Sequence, residues 1–114
     1  MKIAQIAPLY ESVPPKTYGG TERVVHYLTE ELVKRGHEVT LFASGDSETS
    51  AELRSMIPEA LRLSSRRRDP VVWHLLQLSQ VAKESERFDV LHFHTDFFHF
   101  PLWRYLRTPQ LTTL

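Results

Sequence analysis

The feature that most constrains the fold is a regular alternation between short apolar runs and longer amphipathic segments. "KIAQIA" (2–7), "HEVTLFAS" (37–44) and "DVLHF" (89–93) are short and apolar, as buried strands are. Helical spacing of apolar residues marks 21–35, and Pro70 opens a second helical pattern. Strands that alternate with helices form parallel sheets, because each crossover between parallel strands needs a long connection. The sequence therefore predicts an α/β, Rossmann-like three-layer fold: a parallel sheet with helices on both faces.

The remaining segments complete this predicted order. Gly36 stands where the helix over 21–35 needs a residue in the left-handed conformation to end. Residues 51–68 show no clear period and are predicted as a broken helix, 96–107 as a helix, and 110–114 as the start of a fourth strand. The helix after the second loop is expected to bury its apolar residues on one side. These residues are Val72, Leu75, Leu76 and Val81.

Size, charge and cysteine content exclude several classes of protein. A chain of 114 residues is long enough for one core. Its 14 basic and 14 acidic residues cancel, so no overall charge attracts nucleic acid, and no nucleic-acid partner is expected. The absence of cysteine excludes disulfides, thiolate catalysis and cysteine-bound zinc. The apolar run before Pro8 is too short for a secretory signal, and no run reaches the length of a membrane span, so the expected location is the cytoplasm.

A pair of glycines precedes the first predicted helix. Gly19 and Gly20 permit close approach to the backbone, and free amide groups at a helix amino end attract phosphate or carboxylate. The same pair is also compatible with a simple turn. The glycines lack the spacing of a dinucleotide-binding turn or a P-loop, so this sequence does not favour NAD or ATP.

The segment "HFHTDFFHF" concentrates titratable residues at the end of the third predicted strand. His92 and His94 project to the same face of a strand, and with Asp96 they could bind one metal ion, as in a metal-dependent hydrolase. Metallo-β-lactamases, however, place a histidine directly after this aspartate, where this chain has Phe97. In the other interpretation, His92 is a strand histidine bonded to backbone and His99 an exposed helix residue. His94 and Asp96 then border a binding site, or Asp96 caps a helix.

Several segments together carry a resemblance to a known family. They are "MKIAQIAPLYESVPPKTYGGTERVVHYLTEELVKRGHEVTLFASGDSETSA", "FDVLHFHTDF" and "RTPQLTTL". In this order and spacing they resemble the N-terminal part of the GT-B fold glycosyltransferases of family 4, over nearly the whole chain. Residues 51–87 contribute least to the likeness.

The resemblance implies a function and a set of site residues. It implies retaining transfer of a sugar from a nucleotide-diphosphate donor to a sugar or lipid-linked acceptor, with no cofactor and no metal. Gly19, Gly20 and Glu22 match the family's loop near the donor phosphates and the acceptor. His94 and Asp96 match the strand end that borders the acceptor cleft. The histidines are therefore expected to form a cleft wall and not a metal site.

The resemblance also implies a partial domain. In the family, a second Rossmann-like domain holds the donor, and residues 1–114 correspond only to part of the N-terminal, acceptor-side domain. We therefore expect the donor-binding domain to be absent from this sequence and the chain to be inactive alone. Two alternatives stay open: the metal-dependent hydrolase described above and a noncatalytic α/β binding module.

Two further groups suggest surfaces. The run Arg66, Arg67 and Arg68 is compatible with a solvated loop or with contact to an anionic membrane, because some family members act on lipid acceptors. A dense aromatic group near the carboxyl end suits core packing or a domain interface, with sugar stacking as the alternative. Its members are Phe97, Phe98, Phe100, Trp103 and Tyr105.

Overall fold

The computed structural model describes residues 1–64 and 69–114. Its strands are β1 (Lys2–Ile6), β2 (Glu38–Phe42), β3 (Glu52–Arg54), β4 (Val90–Phe93) and β5 (Gln110–Thr112). Its α-helices are α1 (Gly20–Lys34), α2 (Pro70–Glu84) and α3 (Phe100–Trp103), and 3-10 turns cover Leu61–Leu63 and Ser85–Arg87. All strand pairs are parallel, in the order β3-β2-β1-β4-β5. The predicted fold class is therefore confirmed.

The sheet is buried on both faces by two apolar clusters. The first packs α2 against one face and joins the even-numbered residues of β1 to the ends of β2 and β4. Its buried members are Ala4, Ile6, Phe42, Leu78, Val81, Phe88, Leu91 and Phe93. The second packs α1 against the other face through Ala7, Val13, Val25, Leu41 and Ala43. Side chains alternate along each strand, so the two faces draw on different residues of the same strands.

The helix α1 ends as its glycine predicts. Gly36 has a φ of 91°, in the left-handed region. Its N–H donates to the carbonyl of Val33, and the N–H of His37 donates to the carbonyl of Leu32. These two hydrogen bonds form a Schellman motif, which satisfies carbonyls at the helix end and turns the chain into β2.

The helix α2 buries a face that differs from the predicted one in all but one apolar residue. Asp69 caps it by accepting from the N–H of Val71 at 2.9 Å, and Pro70 occupies the first turn. Its buried residues are His74, Gln77, Leu78, Val81 and Glu84. Of the four residues predicted to be buried, only Val81 is; the prediction is wrong for Val72, Leu75 and Leu76, which are between 43% and 49% exposed. The polar side chains turn inward because they bind the backbone that follows β1.

Two other segments also differ from the prediction. Residues 52–54 form an edge strand and not part of a broken helix, and Arg54 there pairs with Glu84 at 2.6 Å. Glu52 and Arg54 flank Leu53 on this strand, so the sequence carried little apolar pattern to reveal it. The sheet consequently has five strands, where four were predicted.

The helix predicted over 96–107 is shorter in the structure, where only the four residues of α3 are helical. Asp96 adopts a left-handed conformation that a helix does not use, and Pro101 is tolerated only in the first turn of a helix, so α3 cannot begin as early as predicted. The aromatic group around it is not core: Phe97 and Tyr105 are 67% and 71% exposed, and only Phe98 packs against the first cluster.

Among the residues that the structure describes, no helix is both long and apolar enough to span a membrane.

Candidate functional site

A cleft of about 460 Å³ opens at the carboxyl ends of β4 and β5, beside the amino end of α1. The chain leaves β1 over one face of the sheet and enters the neighbouring strand β4 from the other, and open parallel sheets bind ligands at such positions. The residues lining the cleft are Gly20, Thr21, Val24, His94, Asp96, Thr113 and Leu114. Three predicted site residues, Gly20, His94 and Asp96, therefore share one cleft.

A larger open depression of about 530 Å³ lies at the opposite edge of the sheet. Lys2, Glu38 and Arg87 line it, at the amino ends of the strands. In parallel sheets, the loops and helix amino ends that bind ligands gather at the carboxyl ends. The smaller cleft is therefore the candidate site.

The two glycines contribute differently. Gly19 has a φ of 149°, and a Cβ there would lie 3.0 Å from Oε1 of Glu22 and 3.1 Å from Cβ of Pro15. Gly20 is the first residue of α1, and a Cβ there would meet nothing within 4 Å. The turn therefore requires glycine at position 19. Gly20 has no side chain to fill the cleft, so a ligand can approach its backbone.

The amino end of α1 supplies hydrogen-bond donors to this wall. The first hydrogen bond of the helix runs from the N–H of Arg23 to the carbonyl of Gly19 at 3.1 Å. The N–H groups of Gly20 and Thr21 precede it, so neither has a partner within the helix. Together with the positive end of the helix dipole, they favour an anionic group such as phosphate or carboxylate.

Glu22 lies behind the glycines, and the cleft-lining residues do not include it. It is 5% exposed, and its carboxyl accepts from the backbone N–H groups of Glu22 and Glu11. Burial raises the pKa of Glu22, and the nearby charge of Glu11 adds to this increase. Arg62 contacts Glu11, with 2.6 Å between Nε and Oε1. This geometry ties the loop after β1 to the first turn of α1.

His94 is buried at the base of the cleft. It is 3% exposed, its N–H donates to the carbonyl of Ile6, and its Nε2 donates to Oε1 of Gln5 at 2.9 Å. The ring of His92 lies 4.0 Å from its own. Burial, helped by His92, lowers the pKa of His94 to about 3, so the imidazole is neutral at physiological pH.

Asp96 projects from a tight turn directly after His94. The N–H of Phe98 closes this turn by donating to the carbonyl of Thr95 at 3.1 Å. Asp96 has a φ of 52°, which aspartate tolerates better than most residues. The helix α3 begins only at Phe100, with His99 at its N-cap, so the capping interpretation of Asp96 is wrong. Its exposed carboxylate is the only charged side chain among the residues that line the cleft.

The other two histidines of this segment differ from their predicted roles. Nε2 of His92 bonds the hydroxyl of Thr113 at 2.7 Å, a side-chain partner where a backbone partner was predicted. His99 was predicted to be exposed but is 1% exposed, and it stacks on Phe93 with 4.2 Å between ring centroids. Its two ring nitrogens bond the hydroxyls of Thr95 and Thr112. Burial lowers the pKa of both His92 and His99.

The arrangement of these side chains gives no support to the hydrolase interpretation. Within residues 1–64 and 69–114, no three His, Asp or Glu side chains are grouped so that they could hold one metal ion. His92 and His94 each direct Nε2 to a protein partner, Thr113 and Gln5 respectively.

Three residues that shape the site were not predicted from the sequence. Gln5 stands at the centre of β1 with no exposure and holds His94. Thr113 lines the cleft and holds His92. His74 anchors the loop after β1 through Leu9. A polar residue inside the apolar run "KIAQIA" was the one available signal, and it pointed to Gln5.

Comparisons with known proteins identify the family of the chain and a solved structure with a similar fold. The model of the family "Glycosyltransferase Family 4" matches residues 18–114, which include all five predicted site residues. Among solved structures, the chain is similar to the crystal structure of AviGT4, a glycosyltransferase involved in avilamycin A biosynthesis, with 25% identity and a TM-score of 0.66. That alignment covers 97% of this chain and 31% of AviGT4. No match was found among curated proteins.

Proposed function

Because this chain belongs to glycosyltransferase family 4, we propose that it forms part of the acceptor-side domain of a retaining, nucleotide-sugar-dependent glycosyltransferase. The observation that carries the proposal is the cleft in which Gly20, His94 and Asp96 meet at the carboxyl edge of the sheet. These residues come from two segments far apart in sequence, and the order β2-β1-β4 brings them together.

The two walls of the cleft suit different parts of the reaction. The amide groups at the start of α1 would bind a phosphate oxygen of the donor and stabilise the negative charge that grows on the leaving diphosphate. The Asp96 carboxylate would repel phosphate but accept hydrogen bonds from acceptor hydroxyls. Neutral His94 adds no charge of its own. The proposal requires no cofactor and no metal.

The proposal assigns donor binding mainly to another domain. The chain spans 31% of the length of AviGT4. Residues 1–114 alone are therefore expected to transfer no sugar, and a robust transfer rate from them would contradict this part of the proposal. The noncatalytic binding module remains the alternative, and it predicts that a longer natural protein containing this domain also lacks activity.

The test of the cleft is an Asp96→Asn substitution in the full-length protein. Loss of a charge-assisted hydrogen bond to an acceptor hydroxyl costs about 1.5–3 kcal/mol, so kcat/KM for the acceptor should fall roughly tenfold or more. Steady-state kinetics with varied acceptor and varied donor would measure this, and KM for the donor should change less. Asp89→Asn is the matched control, since Asp89 lies at the other edge and accepts from the N–H of Lys2. Equal kinetics for the two variants would contradict the role of Asp96.

A second part of the proposal concerns the membrane. Arg66, Arg67 and Arg68 lie outside the described residues, so the structure does not bear on the predicted contact. Directly after them, however, α2 presents four apolar side chains to solvent, each 43% to 49% exposed: Val71, Val72, Leu75 and Leu76. Apolar side chains beside a basic run are typical of proteins that bind anionic membrane surfaces. We therefore propose a cytoplasmic protein that contacts the membrane peripherally.

Vesicle co-sedimentation tests the membrane contact. Vesicles that contain anionic lipid should sediment the wild-type protein at low salt. Replacing Leu75 and Leu76 by serine, or the three arginines by glutamine, should each reduce the bound fraction. Replacing exposed Val24, on α1, by serine is the control and should not. Binding unchanged by both sets of substitutions would contradict the proposal.

A further inference from the structure

His74 is a completely buried histidine that the proposed reaction does not use. The N–H of Leu9 donates to its Nε2 at 3.0 Å, so Nε2 carries no proton. Its Nδ1 therefore carries the proton and donates to the carbonyl of Pro70 at 2.6 Å. Both nitrogens are thus occupied by backbone partners, and the ring is held neutral in a single tautomer.

The same ring contacts two aromatic side chains from different segments. It stacks on Phe98, with 4.8 Å between centroids and 15° between planes. It also packs against Tyr10 at 4.9 Å. Tyr10 belongs to the loop that ends at Gly19, and Phe98 closes the turn that presents Asp96. One side chain therefore joins the segments that supply the two walls of the cleft.

A second anchor reinforces the first. Gln77, one turn further along α2, donates from Nε2 to the carbonyl of Ala7 at 2.8 Å. The start of the loop is consequently held at both Ala7 and Leu9 by side chains from the same helix. This explains why the polar face of α2 is buried although its other face is more apolar.

We infer that His74 is a positioning residue: through Leu9 and Phe98 it fixes the separation between the Gly20 wall and the Asp96 wall of the cleft. The significance of that separation for sugar transfer rests on the proposed function. The separation itself is a property of the fold, so it can be tested by a structural measurement that needs no activity.

Two substitutions separate the hydrogen bonds of His74 from its aromatic contacts. His74→Phe keeps an aromatic ring for Phe98 and Tyr10 but removes both hydrogen bonds. His74→Gln removes the ring but supplies an amide oxygen that accepts from Leu9. His37→Phe is the matched control, because His37 precedes β2 at the opposite edge of the sheet. Selective ¹⁵N labelling of leucine, glycine and aspartate in the full-length protein would report the amides of Leu9, Gly20 and Asp96.

His74→Phe should move the Gly20 and Leu9 resonances well beyond the changes caused by His37→Phe. His74→Gln should return Leu9 and Gly20 toward their wild-type positions while moving Asp96. A His74→Phe protein that shifts Leu9 alone would overturn the inference. If His74→Phe does not fold, ¹⁵N spectra of the wild-type imidazoles decide: a proton on Nδ1 is expected, and a proton on Nε2 would overturn the inference.

Kinetics separate this inference from the proposed function. A displaced Gly20 resonance with a raised donor KM in His74→Phe, and a displaced Asp96 resonance with a raised acceptor KM in His74→Gln, would support both. Displaced resonances with unchanged kinetics would leave the positioning role supported and would contradict the role of the cleft in sugar transfer.

Discussion

Acidification from pH 7.5 to pH 4.5 is expected to remove about 2–3 kcal/mol from the free energy of unfolding through His94 alone. The pKa of His94 is lowered to about 3 in the folded protein, from an ordinary value of 6.5. Between these values the unfolded chain binds a proton that the folded chain does not. The stability is therefore fully present above pH 6.5 and falls as the pH drops toward 3. Burial lowers the pKa of His74, His92 and His99 too, which adds to the loss in the same direction.

A non-titrating variant isolates the part that His94 contributes. His94→Gln retains an N–H donor for Oε1 of Gln5 but binds no proton. Urea unfolding of both proteins at the two pH values would give four free energies. The wild-type protein should lose about 2–3 kcal/mol more than the variant between the two pH values. Equal losses would show that His94 titrates normally and is not buried as described.

Gly19→Ala should destabilise the protein strongly, whereas Gly20→Ala should not. A backbone conformation that only glycine adopts readily costs about 1–3 kcal/mol with any other residue, and the new Cβ would also crowd Glu22 and Pro15. Gly20 meets nothing within 4 Å and lies in α1, so alanine there should stabilise by up to about 1 kcal/mol.

The adjacent substitutions serve as each other's control in thermal and urea unfolding. A Gly19→Ala protein as stable as wild type would mean that this turn differs from the one described. Full-length Gly20→Ala provides a second contrast, because a methyl group would enter the cleft without loss of stability. Its donor KM should rise if the start of α1 binds phosphate.

Most of the fold could be predicted from the sequence, because strands that are buried on both faces of a parallel sheet form short apolar runs. The strands around Ala4, Leu41 and Leu91 are mostly apolar, and Gly36 ends α1 in the way its position predicts. The edge strand at Leu53 was not predictable, since charged neighbours and one exposed side leave no apolar pattern. The buried face of α2 was largely misassigned because side chains that hydrogen-bond to the backbone after β1 face inward together with Leu78 and Val81.

The candidate site was likewise predictable only in part. Two sequence features indicated the cleft: His94 and Asp96 follow a strand, and a glycine pair precedes α1. The structure places Gly20, His94 and Asp96 in one cleft. The burial of His99 could not be read from the sequence, because it depends on hydroxyl partners at Thr95 and Thr112 and on the short length of α3. Glu22 was found by resemblance, yet its carboxyl faces the loop behind the cleft.

The central place of β1 in the sheet has a consequence for synthesis on the ribosome. Although β1 is made first, its second neighbour is β4, so Ile3 must wait for Val90 to emerge before that edge is paired. At about 5–20 residues per second, the wait lasts several seconds. During this time β1 can pair with β2, but its other edge stays unpaired, and unpaired strand edges make a nascent chain prone to aggregation.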